Sequence, residues 1–159
     1  MEIRRSILFL LVFVMGFGPN NTNLYAQAKP SPYTSMAAEI LTLVNEHRAT
    51  IGKQPLVFND LITASAEGHS RNMATKKVPF SHQGFEGRTT KLAKQIKPSN
   101  SFAENVAYGA NSAQEAVEMW LNSPGHKKNI EGDYNLTGIG IVKGKGGQLY
   151  FTQIFLHKG

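Results

Sequence analysis

Apolar residues recur at helical spacing in three stretches of the N-terminal two thirds of the chain. This pattern predicts helices over residues 35–50, 60–76 and 89–96, with Ser35 as the expected cap of the first. The residues expected to face inward are Ile40, Leu41, Val44, His47 and Ile51 in the first helix, and Leu61, Ala64, Gly68 and Met73 in the second. The segment Pro55–Phe58 between these two helices is short and extended in character.

The stretch 101–126 holds the tightest group of reactive side chains. Its first half, Phe102–Tyr108, has the composition of a strand and carries Glu104 and Asn105. A helix should follow, because residues 112–115 match the S-x-x-E capping box and the apolar residues behind them share one face. The Ser-Pro-Gly sequence at 123–125 should end that helix and present His126 just past its end.

The C-terminal quarter changes to a strand pattern. Leu136–Val142 and Leu149–Leu156 are rich in apolar residues and flank a glycine-rich turn at 143–147, which predicts a β-hairpin. In the second of these strands apolar residues occupy both faces, so we expect both faces to be covered. Helices first and a hairpin last favour an α+β fold with helices packed on a small antiparallel sheet, in a single domain.

The N-terminal segment has the features of an export signal. Two arginines precede a short apolar run at residues 7–17, and Ala26-Gln27-Ala28 supplies a small-x-small cleavage site. Eleven apolar residues are too few for a membrane helix, which needs about 20. We therefore predict a signal peptide at 1–28, a linker at 29–36, a secreted or periplasmic location, and a protein that is not integral to the membrane.

Composition narrows the partners of the mature chain. Residues 1–28 hold two of the 17 basic and one of the 11 acidic side chains, which leaves 15 basic and 10 acidic and a formal charge of +5. This charge suits anionic envelope polymers or phospholipid head groups, but the lysines are scattered and form no basic stripe interleaved with aromatics. We expect no nucleic-acid partner, and, with no cysteine in the sequence, no disulfide.

Several motifs, in order along the chain, resemble those of the CAP superfamily, which comprises cysteine-rich secretory proteins, antigen 5 and pathogenesis-related 1 proteins. The resemblance is greatest to the bacterial, cysteine-free branch. It implies that residues 37–159 form a CAP domain, a three-layer α-β-α sandwich with a central cleft. The matching segments are Val44-Asn45-x-x-Arg48, Ser81-His82, Ala103-Glu104-Asn105-Val106-Ala107, Trp120-Leu121-Asn122-Ser123-Pro124-Gly125-His126, Gly138-Ile139-Gly140 and Tyr150-Phe151-Thr152-Gln153.

The resemblance also implies a set of cleft residues. Animal and plant members place two histidines and two glutamates there, and His82 and Glu104 match the first of each. Ser123 stands where the second glutamate is usual, and Tyr150 stands at the place of the second histidine. His126 can fill part of that role, so the cleft residues expected for this chain are His82, Glu104, Asn105, His126 and Tyr150.

Three readings of the histidines and the glutamate stay open at this point. His82, Glu104 and His126 would make a Zn²⁺ site with an open coordination position if they converge. They can equally form a hydrogen-bonded pair that orders the cleft and fixes Asn105, or a proton-transfer pair in which Glu104 orients a histidine base. Nucleophilic catalysis has little support, because there is no cysteine and no G-x-S-x-G elbow.

Our leading functional hypothesis is a non-enzymatic extracellular binding module, expected to be a monomer. The family resemblance implies lipids, glycans or wall-derived fragments as ligand classes. The alternative is a metal-dependent hydrolase that acts on peptide or cell-envelope substrates. A third possibility is a protein-interaction domain that uses the basic outer surface. Fold alone cannot choose among them, because one scaffold can support many functions.

Overall fold

A computed structural model describes residues 31–159 of the chain, so the predicted signal peptide and the start of the predicted linker lie outside the described residues. Within residues 31–159, no helix combines the length and the apolar character that crossing a bilayer demands. The elements of this part are α1 (Thr34–Thr50), β1 (Val57–Phe58), α2 (Asp60–Ala74), α3 (Phe85–Gln95), β2 (Ser99–Tyr108), α4 (Ala113–Leu121), α5 (Pro124–Ile130), β3 (Leu136–Lys143) and β4 (Leu149–Lys158).

The four strands form one sheet in the order β1-β3-β4-β2. β1 is parallel to β3, whereas the β3–β4 and β4–β2 pairs are antiparallel. Helices α1, α4 and α5 pack on one face of the sheet around Trp120, and α2 and α3 pack on the other face around Ile62 and Leu92. The α+β fold and its three α-β-α layers are therefore confirmed, as is the hairpin with both faces of β4 covered.

Details at the helix ends and faces differ from the predictions. α1 begins at Thr34 rather than after a cap at Ser35, and Ile51, expected on its buried face, is exposed. α3 begins at Phe85, four residues before the predicted start, after Gly84 in a left-handed conformation. His126 does not follow the end of a helix but lies in the first turn of α5, because Pro124 starts a new helix as well as ending the last one.

The buried face of α2 is also rotated from the predicted one. Leu61 is exposed and Ala64 faces solvent, whereas Ile62, Ala66 and His69 are buried. The reason lies in β3: a Cβ atom added to Gly138 would stand 2.2 Å from the backbone nitrogen of Thr63, and one added to Gly140 would stand 2.1 Å from that of Glu67. The backbone of α2 therefore rests directly on the two glycines, and this contact decides which side of the helix faces the sheet.

A buried arginine joins α1 to the segment after α5. The guanidinium of Arg48 is 1% exposed and donates to four carbonyl oxygens, those of Gln54, Ile130, Gly132 and Tyr134, at 2.6–2.9 Å. Burial lowers the pKa of Arg48. These bonds fix the loop that connects α5 to β3, and so they fix the helix that carries His126.

We predict that Gly140→Ala lowers the free energy of unfolding by about 3 kcal/mol or more, because the new methyl group meets the backbone of α2. Gly68→Ala is the matched control: Gly68 lies within α2 and has nothing within 4 Å of an added Cβ. That variant should gain about 0.5–1 kcal/mol, since alanine favours helix. Urea denaturation of both variants checks the pair, and equal stability of the two would contradict the contact.

Candidate functional site

The candidate site is built around a buried carboxylate on the α2–α3 face of β2. The Glu104 side chain is 2% exposed and accepts hydrogen bonds from Nε and Nη2 of Arg88 at 2.9 and 2.8 Å. The two side chains thus form a bidentate ion pair. The Nδ1 atom of His82 lies 3.0 Å from the same carboxylate. Both carboxylate oxygens thus have hydrogen-bond partners, and the arginine balances the buried negative charge.

A second histidine lies behind this group and belongs to it. His69 is 2% exposed; its Nε2 donates to the carbonyl of Ser81 at 2.8 Å, and its Nδ1 accepts from Nη1 of Arg88 at 3.1 Å. This pattern requires a neutral ring, because a protonated one has no acceptor. Burial lowers the pKa of His69, and the nearby positive charge of Arg88 lowers it further, in agreement with the hydrogen bonds.

His126 reaches the site from the other side of the free edge of β2. Its ring centroid lies 6.3 Å from that of His82. Asn105 holds it there, since Nδ2 of Asn105 donates to the His126 carbonyl at 3.1 Å, while Oδ1 accepts from Asn129 at 2.9 Å. Burial lowers the pKa of His126, and the neighbouring His82 lowers it as well.

Four of the five predicted cleft residues therefore come together: His82, Glu104, Asn105 and His126. Tyr150 does not join them; it is the cross-strand partner of Tyr108, four residues along β2 from Glu104 and so about 13 Å away. Trp120, which belongs to one of the matching segments, lies in the core, with Nε1 donating to the Val106 carbonyl.

The sequence interpretation missed Arg88, His69 and Asn129. Arg88 precedes the helix predicted to begin at Thr89, whereas in the structure it lies in the first turn of α3. His69 lies within the predicted second helix, where nothing in its sequence neighbourhood indicates contact with a glutamate. No local spacing links these residues to Glu104, because the link is made only by packing two helices on the sheet.

The predicted zinc site of His82, Glu104 and His126 requires that the three side chains converge on one point. No group of three His, Cys, Asp or Glu side chains between residues 31 and 159 is arranged to hold a metal ion. Glu104 is engaged by a guanidinium, which a divalent cation at the same oxygens would have to displace. As the structure places them, these three residues do not fit a zinc ion.

The grooves of the protein differ in character from this cluster. A groove of about 440 Å³ between α2 and α3 reaches His69 and Arg88 from outside. A mostly apolar cavity of about 280 Å³ lies between the start of α1, β1 and α2, away from the histidines. We take the cluster at β2 as the candidate site, because several titratable and hydrogen-bonding groups converge there.

We predict that the free energy of unfolding falls as the pH drops below about 6.5, the ordinary pKa of histidine. His69 has a lowered pKa in the folded protein, so the unfolded chain binds more protons in that range and gains stability relative to the fold. His69→Gln, which keeps one donor and one acceptor, should weaken this dependence between pH 7 and pH 5. Urea denaturation at each pH measures it. An unchanged slope in His69→Gln would contradict the assignment.

Comparison with known proteins gives one consistent result. Residues 41–155 match the cysteine-rich secretory protein family, CAP. The chain is 33% identical over 131 residues to YkwD of Bacillus subtilis and 30% identical over 128 residues to the membrane protein YlbC of the same organism. These matches cover 81% and 79% of this chain, which spans 50% and 35% of the two relatives.

Solved structures show the same fold at lower identity. An outer surface protein of Borrelia burgdorferi matches with a TM-score of 0.69 at 19% identity, over 81% of this chain and 97% of that one. An extracellular protein of Bacillus anthracis with an SCP domain matches with a TM-score of 0.66 at 24% identity, over 82% and 45%. The sequence match, the fold and the absence of cysteine agree: this chain belongs to the cysteine-rich secretory protein (CAP) family, in its bacterial, cysteine-free branch.

Proposed function

We propose that the protein is an exported, non-enzymatic binding module whose cleft at the free edge of β2 accepts a lipid, a glycan or a wall-derived ligand. The proteins of known structure that it resembles include an outer surface protein and an extracellular protein, which supports a place outside the cytoplasm. The observation that carries the proposal is the engagement of Glu104, which leaves this carboxylate as an orienting group rather than a free base.

Glu104 determines how His82 meets a ligand. An ionised carboxylate can only accept hydrogen bonds, so the proton of His82 sits on Nδ1, at 3.0 Å from Glu104. In the neutral form of the ring, Nε2 carries a lone pair, and this side chain is 50% exposed. His82 is thus held in one orientation and offers an acceptor to a hydroxyl or amide group of a bound molecule.

His126 adds a second polar group at a fixed distance. Because its pKa is lowered by burial and by His82, it is neutral at pH 7 and can donate from one nitrogen and accept with the other. Asn105 and Asn129 fix its backbone to β2, so the two rings form a prepared surface. Such preorganisation reduces the entropy lost on binding.

The metal-dependent hydrolase receives less support. Catalytic zinc needs three protein ligands and a free coordination position, and here the carboxylate is paired with Arg88. A free general base is also missing at Glu104, since the residue already accepts from two side chains. His69 is enclosed by its own hydrogen bonds and does not supply one.

The binding proposal is tested by nuclear magnetic resonance of the histidine rings during titration with phosphatidylglycerol vesicles, soluble muropeptides and neutral chitooligosaccharides. We expect one class to shift His82 and His126, and His82→Ala to bind it at least tenfold more weakly, a loss of about 1.4 kcal/mol. His157→Ala, a histidine outside the cleft, should bind like the wild type. Hydrolysis of a probe by the wild type but not by His82→Ala would show that the protein is an enzyme. If no ligand class shifts the signals of His82 or His126, the binding proposal is wrong.

Zinc is tested separately on the same protein. Because the carboxylate is held by Arg88, we expect elemental analysis and calorimetry to show no more zinc on the wild type than on His82→Ala/His126→Ala. The double variant leaves the Arg88–Glu104 ion pair in place, so its fold is a fair reference. Stoichiometric zinc that the double variant loses would instead favour the hydrolase.

A further inference from the structure

A second pocket lies at the other end of the same sheet face. It has a volume of about 380 Å³ and lies between the end of α2 and the β3–β4 hairpin. Its size falls within the range of small-molecule sites. The residues of its wall that matter here are Lys76, Tyr108, Gly144, Lys145, Gln148 and Tyr150.

Two tyrosines form the aromatic part of the wall. Tyr108 on β2 and Tyr150 on β4 are directly opposite each other, with ring centroids 4.8 Å apart and planes tilted by 53°. The ring centroids of Phe80 and Tyr108 are 5.9 Å apart. Phe80 is 51% exposed and Tyr108 is 42% exposed. Gly144 makes room for this arrangement, because a Cβ atom there would stand 2.9 Å from the Tyr150 ring. Exposed tyrosines combine an apolar face with a polar tip, which suits ligands that have both.

Two lysines supply positive charge to the same pocket. Lys76 and Lys145 are both exposed, and none of the nine described residues that line the pocket is acidic. Lys76 lies two residues after the end of α2 and has φ = 59°, a left-handed conformation that favours glycine at this position of a helix end. A charged side chain kept in an unfavourable backbone conformation is an indication of function rather than of stability.

The geometry points to a site for an anionic sugar, meaning a hexose unit with a carboxylate or a phosphate. The sugar ring packs on the faces of Tyr108 and Tyr150, and the anion lies between Lys76 and Lys145. A nucleotide also joins a ring to an anion, but rings tilted by 53° leave no parallel slot for a flat base. Gln148, at the hairpin, can bond to hydroxyl groups of the sugar.

This inference extends the proposed function, since it names a charged glycan as one ligand, yet it does not depend on the histidines. Glu104 and Tyr108 are four residues apart on β2, so the two sites are about 13 Å apart. Phe80 lies between them, two residues before His82 in the sequence. A glycan of several units could therefore span both sites, with its charged unit in the tyrosine–lysine pocket.

The test is calorimetry of the purified protein with tetragalacturonate and glucose 6-phosphate. Inorganic phosphate and adenosine monophosphate serve as comparison ligands. We expect the charged sugars to bind, with affinity that falls as salt rises, and the comparison ligands to bind at least tenfold more weakly. Stronger binding of the nucleotide than of both charged sugars would overturn the assignment.

The decisive variant is Lys76→Gly, because glycine removes the charge and also relieves the backbone at φ = 59°. Its unfolding midpoint should not fall, so loss of binding cannot be attributed to unfolding. We expect at least a tenfold loss of charged-sugar affinity in Lys76→Gly and in Tyr108→Ala. Lys53→Ala, which removes an exposed lysine elsewhere, should bind like the wild type.

His82→Ala separates this inference from the proposed function. We expect that variant to keep its affinity for glucose 6-phosphate, which is too short to reach the histidines. Loss of that affinity in His82→Ala, with normal affinity in Lys76→Gly, would place the ligand at the histidines and overturn the inference alone. If a ligand binds at the histidines but neither charged sugar binds the protein, the inference is overturned and the proposed function stands.

Discussion

The position of α2 against β3 is the constraint on which the rest of this structure depends. Gly138 and Gly140 have no side chains, so the helix backbone touches the strand directly. At that distance only one side of α2 can face the sheet. Ser70 lies on this side, where its hydroxyl forms hydrogen bonds with the carbonyl of Gly140 and the hydroxyl of Thr152. The same rotation buries His69 beside Glu104, where it accepts from Arg88. A packing contact between two backbones thus determines the electrostatics of a site on another strand.

The free edge of β2 is the second structural determinant, because an edge strand has unpaired backbone groups that must be covered. Here the helices after β2 provide the cover. The indole of Trp120 donates to the Val106 carbonyl, and Asn129 donates to the Glu104 carbonyl. Since α5 also carries His126, the same contacts that protect the edge bring the second histidine to the first. The cleft is therefore a consequence of closing the sheet edge.

Charge balance explains how a carboxylate can be buried in this cluster. A buried carboxylate without a partner is costly, and Arg88 removes that cost through two hydrogen bonds. The pairing fixes the tautomers of both histidines, because Nδ1 of His82 donates to Glu104 whereas Nδ1 of His69 accepts from Arg88. The charged lysines lie instead at the far end of the sheet face, beside Tyr108 and Tyr150. Hydrogen bonding and net positive charge are thus separated along one surface.

The sequence by itself determined the hairpin and every element type except that of α5, because these follow from apolar periodicity and turn residues. Its motifs indicated the family, and only the family resemblance implied that His82, Glu104, Asn105 and His126 would meet. The sequence could not determine the buried face of α2, since Leu61 and Ile62 are equally apolar and only the contact with Gly138 distinguishes them. Nor could it supply Arg88 as the partner of Glu104, or separate Tyr150 from the histidines. Those relations join residues far apart in sequence, and only the packing of helices on the sheet brings them to hydrogen-bonding distance.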